Sequence, residues 1–231
     1  MKAPLISVII PALNEARTLA STLIPLQSLR QQDIEIILVD GGSSDSTLEI
    51  AKPLVDTVLE SQQGRALQMN AGAASAKGDL LLFLHADTQL PSEAFSALRS
   101  LLQQQAGFWG RFDVTADSNR WIYRLVTRMM NLRSCITQVA TGDQAIFIHR
   151  SLFLKSGGYP EIPLMEDIAI SKKLRKLQRP VCLRNKAVIS TRYWQNHGVV
   201  QSIFRMWRLR LVYFFGASPH RLVRQYYREH G

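Results

Sequence analysis

Three uninterrupted apolar runs constrain the fold of this chain more than any other feature of its sequence. They read LISVII at residues 5–10, EIILV at 35–39 and DLLLFL at 79–84. Apolar runs without alternation are typical of strands that are covered on both faces, as in a parallel sheet. Because helical patterns separate the runs, we predict an α/β fold with a mostly parallel, Rossmann-like sheet and helices on both faces.

Each apolar run ends in a cluster of polar side chains. The clusters are Pro11–Glu15, Asp40–Asp45 and His85–Asp87. In an open parallel sheet, the carboxyl ends of neighbouring strands form the rim at which ligands bind, near a switch in strand order. The sequence therefore predicts one acidic, polar site at this rim.

The rest of the chain predicts further elements and no linker, so we expect a single domain over residues 1–231. The first helix, with Asn14 as its N-cap, is expected to break near Pro25. The other predicted helices cover 46–52, 64–77, 119–132, 166–177 and 201–215, and the other predicted strands cover 56–59, 108–114 and 145–149. The short apolar runs at 181–183 and 187–190 predict a hairpin.

Positive charge is concentrated in the second half of the chain, whose overall net charge is +10. Residues 1–119 hold 8 Lys and Arg against 13 Asp and Glu, whereas residues 120–231 hold 20 against 5. Such a basic half indicates an anionic partner, namely a phosphorylated substrate, an anionic lipid surface or nucleic acid. A solvated basic surface without a partner is the alternative.

Several chemistries lack their sequence motifs. No GxGxxG follows the first strand, and the chain has no GxxxxGK[ST], GxSxG or HExxH, which argues against dinucleotide, P-loop, hydrolase and zinc sites. Cys135 and Cys182 are expected to be two buried free thiols in a reducing compartment. The apolar run before Pro11 is too short for a signal peptide or a membrane span, so we expect a cytoplasmic protein. The carboxylates that remain at the rim suit Mg²⁺ or Mn²⁺ bridging a diphosphate.

Five motifs in order resemble those of the family 2 glycosyltransferases of GT-A fold. They are PALNE at 11–15, VDGGSSDST at 39–47, NAG at 70–72, FLHAD at 83–87 and ED at 166–167. The resemblance covers nearly the whole chain and is nearest to small, soluble, single-domain bacterial members. It implies a nucleotide-sugar-binding half at 1–115 and an acceptor-binding half, with basic and aromatic C-terminal helices, at 116–231.

The resemblance implies a site for a nucleoside-diphosphate sugar, with UDP as the expected nucleotide. Asp40 matches the residue that hydrogen-bonds the uracil, and Glu15 lies beside the nucleoside. Asp87 matches the last Asp of the DxD motif, which holds a divalent cation, Mn²⁺ or Mg²⁺, on the diphosphate. His85 replaces the first Asp, and its imidazole can donate to a phosphate or ligate a metal, which leaves the metal's identity open. The other matched positions are Pro11, Asn14, Arg65 and Ala86.

The resemblance also implies the machinery of an inverting transfer. Asp167 matches the base that takes the proton from an acceptor hydroxyl, and Glu166 would orient that base or contact the acceptor. Asp143 is expected in the acceptor pocket. Without the resemblance, Glu166 and Asp167 would be interpreted as a helix start with favourable charges. Likewise, Asp87 would be a helix cap and Asp40 a turn residue.

A late segment only approximates the QxxRW motif of the family, because Met206 separates its Arg from its Trp. Arg205 or Arg208 would stabilise the leaving diphosphate through charge-assisted contacts. Trp207 would stack on a sugar, or else pack in the core or an interface. Residues 195–198 are predicted to be either a lid ordered by the diphosphate or an ordinary loop.

Other functions stay open at this point. A sugar nucleotidyltransferase would need a Gly-rich, arginine-containing loop after the first strand, and PALNE is unlike it. Residues 192–231 hold seven arginines among aromatic residues, which suits a peripheral contact with an anionic membrane on its cytoplasmic face, whereas no nucleic-acid-binding motif is present. The expected partners are the donor and a small-molecule or lipid-like acceptor. A homodimer and a catalytically degenerate family member stay open as alternatives.

Overall fold

The strands form one mixed sheet in a computed structural model, which describes residues 5–30 and 32–228 and side chains as far as residue 223. Within these residues the sheet has eight strands in the order β3-β2-β1-β4-β7-β6-β8-β5. The strands are β1 (Ile6–Ala12), β2 (Ile34–Asp40), β3 (Thr57–Glu60), β4 (Leu80–Phe83), β5 (Thr88–Gln89), β6 (Trp109–Ala116), β7 (Ile146–His149) and β8 (Val181–Ile189).

Helices connect most of these strands, as the sequence predicts, although the helices over 92–104 and 150–156 were not among the expected elements. The first helical segment breaks at Pro25, as predicted, where a 3₁₀ turn (Ile24–Leu26) follows α1. The helices are α1 (Leu19–Leu23), α2 (Gln27–Arg30), α3 (Thr47–Ala51), α4 (Arg65–Ser75), α5 (Ser92–Gln104), α6 (Trp121–Thr137), α7 (Arg150–Ser156), α8 (Glu166–Leu177), α9 (Arg192–His197), α10 (Val199–Phe214) and α11 (Pro219–Arg228).

The predicted parallel core of the sheet is confirmed. β1 lies between β2 and β4 and is parallel to both, and β3 extends the same arrangement. Ala12 is opposite Asp40 at the ends of β1 and β2. β7 runs antiparallel between β4 and β6, whereas β6 and β8 are parallel. The carboxyl ends of β1, β2 and β4 therefore share one rim, at the point where the strand order switches.

Apolar side chains cover both faces of the sheet, which confirms that part of the predicted fold class. Alternate residues of β1 point to opposite faces: Val8 and Ile10 pack in one buried cluster and Ile9 in another. The first cluster includes residues of α1, α2, α3 and α5, and the second includes residues of α4, α7 and α8. No helix in the described part of the chain is long and apolar enough to cross a membrane.

The predicted hairpin at 181–190 is wrong. β8 continues through this region and pairs in parallel with β6. The register shifts between Phe112 and Asp113, whose partners are Leu183 and Lys186. Arg184 and Asn185, which lie between the two apolar runs, are therefore accommodated as a bulge inside one continuous strand.

Two predictions about local helix structure are also wrong. Asn14 does not cap the first helix, because α1 begins at Leu19 and Asn14 adopts a φ of +55° in the preceding loop. Residues 195–197 belong to α9, so the predicted ordinary loop is wrong, whereas a lid ordered by the diphosphate stays a prediction. The rings of Tyr193 and His197 stack across one turn of that helix, with centroids 4.5 Å apart.

The two cysteines are not the buried, separate thiols that the sequence suggested. Cys135 is exposed and Cys182 is half-buried, and their sulfur atoms lie 3.0 Å apart. Cys135 is on α6 and Cys182 on β8. Their proximity arises because α6 packs against β6, the neighbour of β8 in the sheet.

Candidate active site

Hydrogen bonds join the two rim loops that follow β1 and β2. The Asn14 N–H donates to Ser43 Oγ (2.9 Å), and Asn14 Oδ1 accepts from the Ser44 N–H (2.8 Å). The Glu15 N–H donates to Thr47 Oγ1 (2.8 Å). Asparagine tolerates a left-handed backbone better than most residues, which suits position 14. The two loops therefore form a single, well-connected edge of the rim.

Asp40 is buried at the end of β2 and organises the loop that follows it. Its Oδ2 accepts from the N–H groups of Gly42 (2.9 Å) and Ser43 (2.8 Å), and its Oδ1 accepts from Ser43 Oγ (2.5 Å). The role of a turn residue is thus observed directly. A carboxylate offers about four lone-pair sites, so Asp40 keeps capacity for one further donor.

Glu15 connects this edge to the second half of the chain. Its Oε2 accepts from Thr18 Oγ1 (2.7 Å) and lies 3.6 Å from an Arg192 guanidinium nitrogen at the start of α9. Pro11 and Ala86 are both buried, and the Ala86 carbonyl accepts from a threonine hydroxyl of α1. Roles for these two positions in nucleotide binding stay predictions.

His85, after β4, pairs with Asp143. His85 Nδ1 lies 3.3 Å from Asp143 Oδ1. Burial disfavours the charged imidazole, but the hydrogen bond and the charge of Asp143 outweigh it, and the pKa of His85 is raised. Burial also opposes ionisation of Asp143, yet the bond with His85 and the charges of His85 and Arg65 hold its pKa below the ordinary value. Arg65, exposed at the start of α4, therefore faces the same site.

Asp167 lies on the other side of the turn that carries Asp143. Its Oδ2 accepts from the Gly142 N–H (3.1 Å), and its Oδ1 accepts from the Ile168 N–H (2.7 Å) at the start of α8. A Cβ at position 142 would overlap His85 Nε2. A side chain at position 142 would therefore displace the His85 ring, since the 3₁₀ turn Gly142–Gln144 passes between His85 and Asp167.

Glu166 precedes Asp167 but is much less accessible, with 5% of its surface exposed. Burial, and then the neighbouring charge of Asp167, raise the pKa of Glu166 to about 7. Tyr159 is buried close by, and the same two influences, with the charge of Glu166, raise the pKa of its phenol well above the ordinary value. The Tyr159 phenol therefore stays neutral. Of the neighbouring carboxyl groups Glu166 and Asp167, Glu166 is readily protonated, which removes one of the two negative charges.

Asp87 provides a half-buried carboxylate on the rim, and its charge contributes to the raised pKa of His85. In the described part of the chain, no three His, Cys, Asp or Glu side chains group as a metal site. A cation that bridges a diphosphate needs only one or two protein carboxylates, which Asp87 satisfies. His85 pairs with Asp143 through Nδ1, and ligation of the metal by its imidazole stays a prediction.

A pocket of about 940 Å³ lies between α6 and α10. All three late residues singled out from the sequence, Arg205, Trp207 and Arg208, line it. Two further arginines that sequence reasoning missed, Arg133 and Arg210, also line the pocket. The other lining residues are Gln201, Phe204, Leu211 and Phe214.

The spacing of the arginines on α6 could have indicated that Arg133 faces a different direction from the other three. Residues 120, 124 and 128 follow a four-residue interval, and the next arginine comes after five. The exposed position 132 is Leu132, so Arg133 turns away from the outer row toward the pocket. Arg210 has no comparable signal, because it lies among alternating leucines and arginines.

The sheet and its helices have the fold of solved GT-A glycosyltransferases. Staphylococcus aureus TarS 1–349 in complex with UDP matches with a TM-score of 0.66 and 19% identity, covering 80% of this chain and 60% of that one. The mannosyltransferase PcManGT from Pyrobaculum calidifontis, in complex with GDP-Man and Mn²⁺, matches with a TM-score of 0.65 and 18% identity, covering 90% and 62%. The sequence pattern described as Glycosyl transferase family 2 matches residues 7–154, and the chain belongs to this family.

Relatives with higher sequence identity are also glycosyltransferases. The PGL/p-HBAD biosynthesis glycosyltransferase of Mycobacterium bovis is 31% identical over 172 residues, which cover 69% of this chain and 64% of the relative. The undecaprenyl-phosphate 4-deoxy-4-formamido-L-arabinose transferase of Aeromonas hydrophila is 30% identical over 154 residues, covering 60% of this chain and 44% of the relative. The chain thus spans less than two thirds of the length of these relatives.

Proposed function

We propose that the protein is an inverting glycosyltransferase that moves a sugar from a nucleoside-diphosphate donor, with UDP as the favoured nucleotide, to a hydroxyl or carboxyl group of an acceptor. One connection supports this most. Asp167 accepts from the Gly142 N–H, and the adjacent Asp143 pairs with His85, two residues before Asp87. A single turn thereby links the carboxylate suited to a base with the carboxylate suited to a diphosphate-bound cation.

The donor would bind at the rim formed by residues 1–115. Asp40 has capacity for a base N–H, and Glu15 lies on the adjoining edge. The UDP complex of TarS supports UDP for this chain, and the GDP-Man complex of PcManGT makes GDP the nucleotide to test beside it. Arg65 and His85 would face the diphosphate. A divalent cation, Mn²⁺ or Mg²⁺, would be held by Asp87 and would neutralise charge on the diphosphate.

The transfer itself would use residues 116–231, which form the acceptor half of the same domain. Asp167 takes the proton of the acceptor hydroxyl while the oxygen attacks the anomeric carbon. The bond from that carbon to the diphosphate breaks on the opposite side, so the configuration inverts. Glu166, protonated below a pH of about 7, leaves Asp167 as the charged member of the pair. Arg205 and Arg208 would receive the charge of the leaving diphosphate.

The proposed acceptor half also has an exposed apolar surface, which supports peripheral binding to a membrane. An exposed stripe at helical spacing runs along α6, and its ends, Trp121 and Ile136, are 73% and 71% exposed. Arg120, Arg124 and Arg128 flank the stripe. Apolar side chains beside arginines suit a helix that lies in an anionic headgroup layer. We propose peripheral contact with the cytoplasmic face of a membrane. The stripe consists of Trp121, Leu125, Met129, Leu132 and Ile136.

Calorimetric titration with UDP and with GDP, in Mn²⁺, Mg²⁺ or EDTA, tests the donor site. We expect UDP to bind more tightly with metal, and Asp87→Ala to lose the metal-dependent part. Asp79→Ala is the matched control, because it removes an exposed carboxylate just before β4, at the opposite end of that strand. If neither nucleotide binds the wild type, the proposed donor site is wrong.

Asp167→Asn tests the base separately from the donor site. It is expected to keep UDP binding and to lose UDP release from UDP-sugars supplied with a membrane lipid extract. Normal turnover in this variant would refute the assignment of the base.

Flotation with vesicles of anionic or neutral phospholipid tests the membrane contact. We expect binding to anionic vesicles at low salt, and its loss in Trp121→Ser combined with Ile136→Ser. Retention of that binding by the double variant would exclude α6 as the contact. A dimer in solution that dissociates in the same variant would show that the stripe covers a second copy instead.

A further inference from the structure

The pocket between α6 and α10 combines buried cationic groups with an apolar wall. Arg133 and Arg210 lie on opposite helices, one on α6 and one on α10. Phe204, Trp207 and Phe214 form much of the wall and are all more than half exposed. A ligand that fills this pocket must therefore pair with the cations inside the pocket and contact the aromatic side chains toward its mouth.

The two guanidinium groups lack partners for several of their donors. Arg133 Nε and Nη2 and Arg210 Nε are buried and make no hydrogen bond within the described part of the chain. The Arg133 Nη1 atom only reaches the Val139 carbonyl, at 3.5 Å. Burial, and then the charge of Arg210, lower the pKa of Arg133 to about 10. Buried donors without partners are costly, and an oxyanion is the group that satisfies them best.

The pocket also lies within electrostatic reach of the proposed base. Asp167 and Asp143 both act on the charge of Arg133, and Arg210 acts on Asp143. Neither carboxylate forms an ion pair with these arginines among the described contacts. The anion that would neutralise them must come from outside the chain, and it would be bound beside the residue that receives the acceptor's proton.

We propose that this pocket binds the acid group, a phosphate or a carboxylate, of an apolar acceptor, with Arg133 and Arg210 as its ligands and the aromatic wall along its chain. The proposal rests on the proposed function, since it specifies the chemical class of the acceptor in that transfer. A nucleotide diphosphate would use the arginines but would leave the exposed wall of Phe204, Leu211 and Phe214 without a role. An acid with an apolar chain uses both.

Calorimetric binding of dodecyl phosphate below its micellar concentration tests the proposal without any turnover. We expect binding to the wild type and a loss of about tenfold or more in Arg133→Gln and in Arg210→Gln, as removal of charge-assisted bonds would produce. Arg184→Gln is the matched control, because it removes an exposed arginine of β8 that does not line the pocket. This control is expected to bind like the wild type, and two separate variants protect the test if one fails to fold.

Three further probes separate the sources of binding. Dodecanol, which lacks the acid, and inorganic phosphate, which lacks the chain, are both expected to bind more weakly than dodecyl phosphate. UDP binding is expected to be unchanged in Arg133→Gln. Equal binding of dodecyl phosphate to Arg133→Gln and Arg184→Gln, equal binding of dodecanol, or equal binding of inorganic phosphate would each overturn the proposal. Loss of UDP binding in Arg133→Gln would assign the arginines to the donor and also overturn it.

The same measurements distinguish this proposal from the proposed function. If the wild type binds dodecyl phosphate through Arg133 but binds neither UDP nor GDP, the donor site fails and the acid site stands. If it binds UDP but not dodecyl phosphate, the acid site fails and the donor site stands.

Discussion

Replacement of Glu166 by glutamine is expected to change how stability depends on pH. The carboxyl group is 5% exposed, and burial, followed by the charge of Asp167, raises its pKa from 4.5 to about 7. Between these two values the folded protein keeps a proton that the unfolded chain has released. The wild type therefore loses stability as the pH rises through this window, at up to 1.36 kcal/mol per pH unit.

The size of the effect follows from the two pKa values. About two and a half units at 1.36 kcal/mol each give about 3 kcal/mol, which is present below pH 4.5 and lost above pH 7. Glutamine has a similar shape and does not titrate. The difference in unfolding free energy, Glu166→Gln minus wild type, is thus expected to rise by about 3 kcal/mol across the window and then to level off.

Urea unfolding of the metal-free protein at half-unit steps from pH 4 to pH 8 measures this difference. Glu161→Gln is the matched control, because it makes the same chemical change at an exposed position five residues earlier. The control is expected to show no such rise. Parallel stability curves for wild type and Glu166→Gln would refute the reasoning that burial holds the proton on Glu166.

Three further perturbations test other features of the structure. Gly142→Ala places a methyl group on His85 and is expected to lower the unfolding free energy by about 1–3 kcal/mol; an unchanged urea midpoint would contradict the close approach. Burial, and then the hydrogen bond with Cys135, raise the pKa of Cys182 to about 11. A thiol reagent should therefore modify Cys135 in the Cys182→Ser variant faster than it modifies Cys182 in the Cys135→Ser variant. Equal rates of modification would contradict the effect of burial on the Cys182 thiol. Arg133→Met removes a buried cation, the pKa of which is lowered to about 10 by burial. The variant is expected to stabilise the ligand-free protein by about 1–3 kcal/mol in urea unfolding. A loss of stability would show that the guanidinium has partners.

The first half of the fold could be predicted because its strands are buried on both faces. Runs such as those at 5–10 and 35–39 have only one reasonable interpretation, and the rim of a parallel sheet follows from their order. The second half could not be predicted as well. Arg184 and Asn185 look like a turn, yet they form a bulge in β8, because the parallel pairing with β6 outweighs the local preference of polar residues.

The candidate site shows the same division. The positions of Asp40 and Asp87 follow from the strand ends, so a motif and a topology suffice to place them on the rim. The contact of Gly142 with Asp167 joins residues 25 positions apart, and no local pattern announces it. The proximity of Cys135 and Cys182 likewise depends on how α6 packs on the sheet, which periodicity does not specify.

The pocket between α6 and α10 couples the stability of the protein to ligand binding. Guanidinium donors without partners at Arg133 and Arg210 destabilise the free protein, whereas an oxyanion placed between them would remove that cost. A ligand that binds only the folded state raises stability with its concentration. Arg133→Met should therefore be more stable than the wild type without dodecyl phosphate and gain less from it. Such opposed effects are expected of a residue kept for binding and not for folding.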